Sequence, residues 1–128
     1  MNQRITRHLL TVLFIGLTFW SCRQEPANDT DDMVGYWEIE EAYRNGQLTE
    51  SLDELYFEFF QDGTMRTNIS GVPAEATYEL QGEKVLQRES EMDIDYTVQE
   101  LTDTTLTLST TIRDFDFRFV LNKRIPQE

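Results

Sequence analysis

From Met33 onward, apolar and polar residues alternate with a period of two, in short segments separated by turn dipeptides. That alternation marks strands with one wetted face, and it predicts eight of them: 34 to 43, 54 to 60, 64 to 70, 75 to 80, 83 to 89, 94 to 101, 104 to 111 and 114 to 123. Asp62-Gly63 and Gln81-Gly82 supply the positive φ that tight hairpins need, which makes the joined strands antiparallel. The last strand carries the clearest pattern. Phe115, Phe117, Phe119 and Leu121 share one face, and Asp114, Asp116, Arg118 and Asn122 share the other. A slip of one residue would expose phenylalanines and bury charges. Phe117, at the middle of this strand, is expected to be buried against Trp37. Alternation turns inward Trp37 with Ile39, Phe57 with Phe59, Ala76 with Tyr78 and Leu80, Ile94 with Tyr96 and Val98, and Leu106 with Leu108.

Eight half-apolar strands suit an all-β fold, an eight-stranded antiparallel up-and-down barrel, because closure removes the exposed sheet edges. An open β-sandwich satisfies the same periodicity and is the alternative. One segment departs from the pattern. Leu48, Leu52 and Leu55 fall at helical spacing, which predicts one helical turn after the first strand.

The first residues belong to a different kind of segment. Arg4, Arg7 and His8 precede the uncharged run Leu9 to Trp20, followed by Ser21 and Cys22, the order of a secretory signal. As a helix that run reaches about 18 Å, too short for a bilayer core of about 30 Å. Phe19-Trp20-Ser21-Cys22 resembles the lipobox of bacterial lipoproteins, with Ser21 as the small residue before the cysteine. Phe19 stands where leucine is usual and Trp20 where alanine or serine is usual. The resemblance implies that the Cys22 thiol carries diacylglycerol, that cleavage falls before Cys22, and that the new amino group is acylated. Residues 1 to 21 are then the lipoprotein signal peptide, 22 to 32 a lipidated and acidic tether, and 33 to 128 the folded domain. The protein is expected at the cell envelope, in the outer membrane, either periplasmic or at the surface. An ordinary cleaved signal and an uncleaved anchor are the alternatives.

Charge and chemistry narrow the function. The chain has 24 acidic against 11 basic side chains and a net charge of −13, and loss of Arg4 and Arg7 with the signal deepens the acidity. Such a surface repels nucleic acid and anionic lipid, so membrane attachment must come from the acyl chains. The one histidine, His8, leaves with the signal, and the one cysteine is the lipidated one. No Ser-His-Asp system, zinc site of the usual ligands or disulfide framework can be built from what remains. Adjacent acids such as Glu40-Glu41 and Asp53-Glu54 read as solvated edges. The expectation is a binding protein rather than an enzyme, with no cofactor and no metal.

Gly35-Tyr36-Trp37, opening the first strand, is similar to the Gly-x-Trp of lipocalins. The run Phe59-Phe60-Gln61-Asp62-Gly63-Thr64, with Thr77-Tyr78-Glu79-Leu80 and Leu101 to Leu108, extends the likeness. Residues 33 to 123 resemble the small bacterial lipocalin-like domains of secreted lipoproteins. This resemblance implies that Trp37 plugs the closed end of the barrel and that a basic residue near the last strand packs over it. Arg118 and Lys123 are the positions that match. It also implies a small hydrophobic ligand within the barrel, with Tyr78 and Tyr96 offering hydroxyls to a head group and Phe57 and Phe117 forming wall. The same tyrosines read alternatively as plain wall, with their hydroxyls bonded to backbone or water. The inward list is rich in large side chains that compete with a ligand for space. A pocket of roughly 300 Å³ or more favours ligand binding. A filled barrel favours the second function, a protein-binding module (an inhibitor or accessory subunit) acting through loops and an acidic outer face.

Overall fold

The computed structural model describes residues 30–125, so the signal segment, Cys22 and most of the tether lie outside the described residues. In chain order the elements are helix α1 (Thr30–Met33) and strands β1 (Gly35–Arg44), β2 (Gln47–Thr49), β3 (Tyr56–Phe59), β4 (Thr64–Thr67) and β5 (Ala74–Gln81), followed by β6 (Lys84–Arg88), β7 (Ile94–Leu101), β8 (Thr105–Ile112) and β9 (Phe115–Lys123). Every pairing is antiparallel, and β1 also pairs with β9, from Trp37↔Lys123 to Arg44↔Phe117. That pairing closes an eight-stranded barrel and decides against the open sandwich.

Two bulges shape the closure. The register of β1 shifts between Ile39 and Glu41, and that of β7 between Val98 and Glu100. Each inserted residue bends its strand and switches the inward parity, so Trp37 and Ala42 are both buried although five residues apart. The core of Trp37, Phe57, Phe59, Tyr96, Leu106, Leu108, Phe119 and Leu121 is almost fully inaccessible. Phe57 lies edge-on to Tyr96 at 5.4 Å between ring centres and tilted against Phe119 at 6.0 Å. Around these rings the interior is filled by side chains.

Four expectations need correction. The leucines at helical spacing do not form a helix. Asn45-Gly46, both at positive φ, make a two-residue turn into β2, and residues 50–54 form a turn closed by Leu55 N–H donating to the Leu52 carbonyl at 3.0 Å. A helix does form, but earlier, inside the segment expected to be tether. It is ordered because Met33 is fully buried and its carbonyl accepts the Trp37 indole N–H at 2.9 Å. Phe115 is not inward but 44% exposed, since the last strand extends past the core at its first residue. Phe117 is half-buried and pairs in register with Arg44, at the end of the barrel opposite Trp37. The register of β9 is otherwise as alternation requires, with Phe119 and Leu121 buried and Asp116, Arg118 and Asn122 outside.

Phe119→Ala should therefore cost about 3 to 5 kcal/mol and Phe115→Ala about 1 kcal/mol or less, measured by urea denaturation. Equal losses would show that the strand does not bury its middle at Phe119.

Candidate functional site

The two ends of the barrel differ in kind. At the closed end, α1 lies across the opening and Trp37 fills it from inside, 0% exposed. The Lys123 ammonium stands 5.3 Å from the centre of the Trp37 ring. Its aliphatic stem crosses Gly35, where an added Cβ would come 2.5 Å from Lys123 Cε. Gly35 also sits at φ 143, a conformation side chains rarely adopt. Gly-x-Trp is thus one device, the glycine clearing the lane through which the lysine reaches the indole. Lys123 and not Arg118 is the basic residue over the tryptophan. Arg118 falls on the outward parity of β9 and its guanidinium stacks on Tyr43 at 4.1 Å. Beside this end, Asp62 Oδ1 accepts from the Thr64 hydroxyl at 2.6 Å and the Thr64 N–H at 3.0 Å, which holds its carboxyl below the usual range and fixes the β3–β4 turn.

Tyr78 belongs to the closed half, its ring edge-on to Phe59 and its hydroxyl donating to the Phe60 carbonyl at 2.7 Å. Tyr96 is fully buried at the barrel's centre and donates to Gln87 Oε1 at 2.7 Å. Burial pushes both phenols above their ordinary pKa, with Asp62 and Asp31 adding to the rise at Tyr78. Both hydroxyls are committed to the protein itself. Phe57 is wrapped by core rings. Of the four ligand-binding candidates only Phe117 borders a cleft, so the structure does not gather them into one site.

The open end is where the space is. A cleft of about 260 Å³ is lined by Leu52, Ile69, Met92, Ile112, Phe117 and Arg113, among others. A second, of about 280 Å³, lies against it and shares Ile69, Ser70 and Met92. Sequence reasoning reached only Phe117 of this constellation, because Leu52, Ile69 and Met92 sit in turns, where alternation carries no information. The Asn45-Gly46 dipeptide was the overlooked signal for one wall, since it folds β2 beside the mouth. Gln87 links mouth and core: its Oε1 accepts the hydrogen bond from the Tyr96 hydroxyl, and its Nε2 donates to Ser90 Oγ at 3.4 Å and the Met92 carbonyl at 3.5 Å. The floor of the cleft is thereby tied to a side chain in the barrel's centre. A larger, polar groove of about 660 Å³ runs outside the wall past Lys84, Arg88, Asp95 and Thr110, where Arg88 pairs with Asp95 at 2.8 Å. Among the described residues no cluster of acids is arranged to hold a metal ion, and no helix is long and apolar enough to cross a membrane.

A closed eight-stranded barrel opened by Gly-x-Trp, with a lysine over the tryptophan, agrees with what comparison finds: the lipocalin-like domain family matches the chain over residues 33–108. The chain belongs to the lipocalin-like domain family. A lipocalin-like protein from Bacteroides uniformis, of known crystal structure, superposes with a TM-score of 0.55, covering 73% of this chain and 99% of that one at 16% identity. That similarity is of fold. No curated protein matches the chain. In the lipocalin-like barrel the closed end is filled at Trp37, and the accessible apolar space lies at the open mouth.

Tyr96→Phe should cost about 1 kcal/mol or more, because it leaves Gln87 Oε1 buried without a donor. The same phenol makes stability fall with alkali. Above about pH 10 the unfolded chain releases the Tyr96 proton and the folded one keeps it, so unfolding is favoured by up to about 1.4 kcal/mol per pH unit per such group. Denaturant midpoints taken from pH 8 to pH 11 should therefore drop less steeply for Tyr96→Phe than for the wild type.

Proposed function

We propose that this lipocalin-like domain is a lipid-anchored cell-envelope protein that binds a small hydrophobic ligand at the open end of its barrel and catalyses no reaction. The observation that carries the binding reading is the pair of adjoining clefts at the mouth, whose apolar side chains Leu52, Ile69, Met92, Ile112 and Phe117 meet no core layer above them. Neither cleft alone reaches the roughly 300 Å³ expected of a ligand pocket and the filled interior speaks for the second reading below, but the two adjoin and together come within the size at which pockets bury a small molecule. The ligand rests on the filled core as on a floor, with its far side towards solvent. The Cys22 segment supports the anchor, and the absence of histidine and of a second thiol after residue 22 supports binding over catalysis.

A second reading draws on a different observation. Leu48 and Val72, 65% and 63% exposed, flank the mouth, and such flanking apolar residues suit a protein segment laid across it. In this reading the mouth is a protein-docking face.

Binding of 1-decanol, followed by calorimetry, tests the first reading. Ile69→Asp should lower its affinity at least tenfold with the fold retained, since a carboxylate placed in the cleft must be desolvated when the chain enters. Absence of binding to the wild type removes the ligand reading and leaves the protein one. For the anchor, Cys22→Ala should move the protein from the membrane to the soluble fraction on cell fractionation, and persistence in the membrane would refute lipidation.

A further inference from the structure

Arg113 stands at the lip of the apolar cleft and is out of place in three respects. The chain has more than twice as many acidic as basic side chains, yet among the described residues Arg113 makes no ion pair and no side-chain hydrogen bond. Arg66 and Lys84 are likewise without one, but neither lines the apolar cleft, and the remaining cations have visible partners. Arg88 pairs with Asp95, Arg124 pairs with Glu38, Arg118 covers Tyr43, and Lys123 covers Trp37.

The second oddity is the turn. Arg113 and Asp114 join β8 to β9 as a two-residue hairpin with φ of 51° and 70°. Both central residues of such a turn need positive φ, for which Asn-Gly is the favoured pair. The neighbouring hairpin between β1 and β2 adopts the same kind of turn, at 51° and 80°, and uses Asn45-Gly46. Two like turns stand at one end of one barrel. The first has the residues its geometry prefers, and the second carries a long cationic side chain in a conformation such residues seldom take. Departures from local preference of this kind concentrate at functional positions.

The third respect is what the residue borders. Arg113 is the one cation among the residues lining the apolar cleft, together with Phe115, Phe117 and Ile112. Arg44 adds a second guanidinium to the same lip, 5.6 Å from the centre of the Phe115 ring.

Resting on the ligand-binding reading above, we infer that the ligand is an anionic single-chain amphiphile, its alkyl tail in the cleft on Ile69, Met92 and Phe117 and its head group held at the lip by Arg113. A planar guanidinium with five donors suits a carboxylate, sulfate or phosphate head, and an apolar floor suits the chain behind it. The pairing also explains how a strongly acidic domain accepts an anion. The attraction is local, at one corner of the mouth, and at physiological salt charges more than about 8 Å away are largely screened.

The barrel closes on itself within Gly35–Lys123 and buries its own core, so the chain from Arg23 onward is suited to the test. Affinities for decanoate, decyl phosphate and 1-decanol, all below micelle formation, are measured for the wild type, Arg113→Asn and Arg113→Lys. The wild type is expected to bind the anions about tenfold more tightly than the alcohol, the scale of a charge-assisted hydrogen bond at a wet rim. The tighter of the two anions identifies the head. Arg113→Asn should bring binding of the anions down to the level of 1-decanol, and should raise the melting temperature because asparagine tolerates the turn. Arg113→Lys should restore part of the preference. If decanol and the anions bind equally to the wild type, or if Arg113→Asn leaves the preference intact, the head-group assignment is overturned while the cleft stands. If nothing binds, the cleft reading fails and the assignment with it.

Discussion

Everything in this barrel depends on β1 serving both of its edges. One edge pairs with β9 along Trp37 to Arg44, and this pairing closes the sheet. The other pairs with β3 only from Gly35 to Glu38, because β3 is four residues long. The upper half of that edge would be left with bare N–H and C=O groups. The chain solves this by folding back at Asn45-Gly46, so that β2 pairs with Ala42 to Arg44. The turn is then pinned to the closing strand, the Asn45 N–H donating to the Asp116 carbonyl at 2.7 Å and the Asp116 N–H to Asn45 Oδ1 at 2.9 Å. The segment that resembles a surface excursion is in fact the cover for an edge.

From that closure follows the location of the chemistry. An eight-stranded barrel has an interior that side chains can just fill. Here Trp37, Phe57, Phe59, Tyr96 and Phe119 do fill it, and the polar atoms among them find internal partners, the indole at Met33 and the phenol at Gln87. No buried side-chain polar atom among the described residues is left without a hydrogen bond. A core so satisfied has no appetite for a ligand. Apolar surface that remains accessible is pushed to the rim, where β3 and β4 end early and the loops at 50–55, 68–73 and 89–93 must span the gap.

Strand order, hairpin pairing and most of the inward list are legible in the sequence because period-two alternation is enforced wherever one face is buried. It fails where that enforcement stops. Phe115 continues the alternation of β9 past the end of the core, so its pattern is right and its burial is not. The bulges at Glu40 and Gln99 change parity for reasons of barrel curvature that no local pattern records. Asn45-Gly46 is a strong hairpin signal, but the leucines that follow it carry a helical spacing that competes with a three-residue strand. The site is less legible than the fold. Its residues come from four separate turns and strand ends, and only closure of the barrel brings Leu52, Ile69, Met92 and Ile112 together. Tyr78 and Tyr96 look like ligand groups in one dimension because a phenol among apolar neighbours has an unassigned hydroxyl. In three dimensions each hydroxyl is already used.

The two ends also differ in how far packing accounts for their unusual residues. At the closed end each residue with an unusual property has a partner that explains it: Gly35 makes way for Lys123, Lys123 covers Trp37, and Trp37 binds the Met33 carbonyl. Positive φ there falls on Gly35, Gly63 and Gly82, residues that adopt it at little cost. At the open end positive φ falls on Gly46 and Gly71 but also on Asn45, Glu89, Arg113 and Asp114, and large apolar side chains are exposed. The chain enters the fold at the closed end through α1, so an attachment made N-terminal to that helix leaves the mouth as the end farther from the point of entry. Packing is concentrated where the chain enters, and the apolar side chains left accessible stand at the opposite lip.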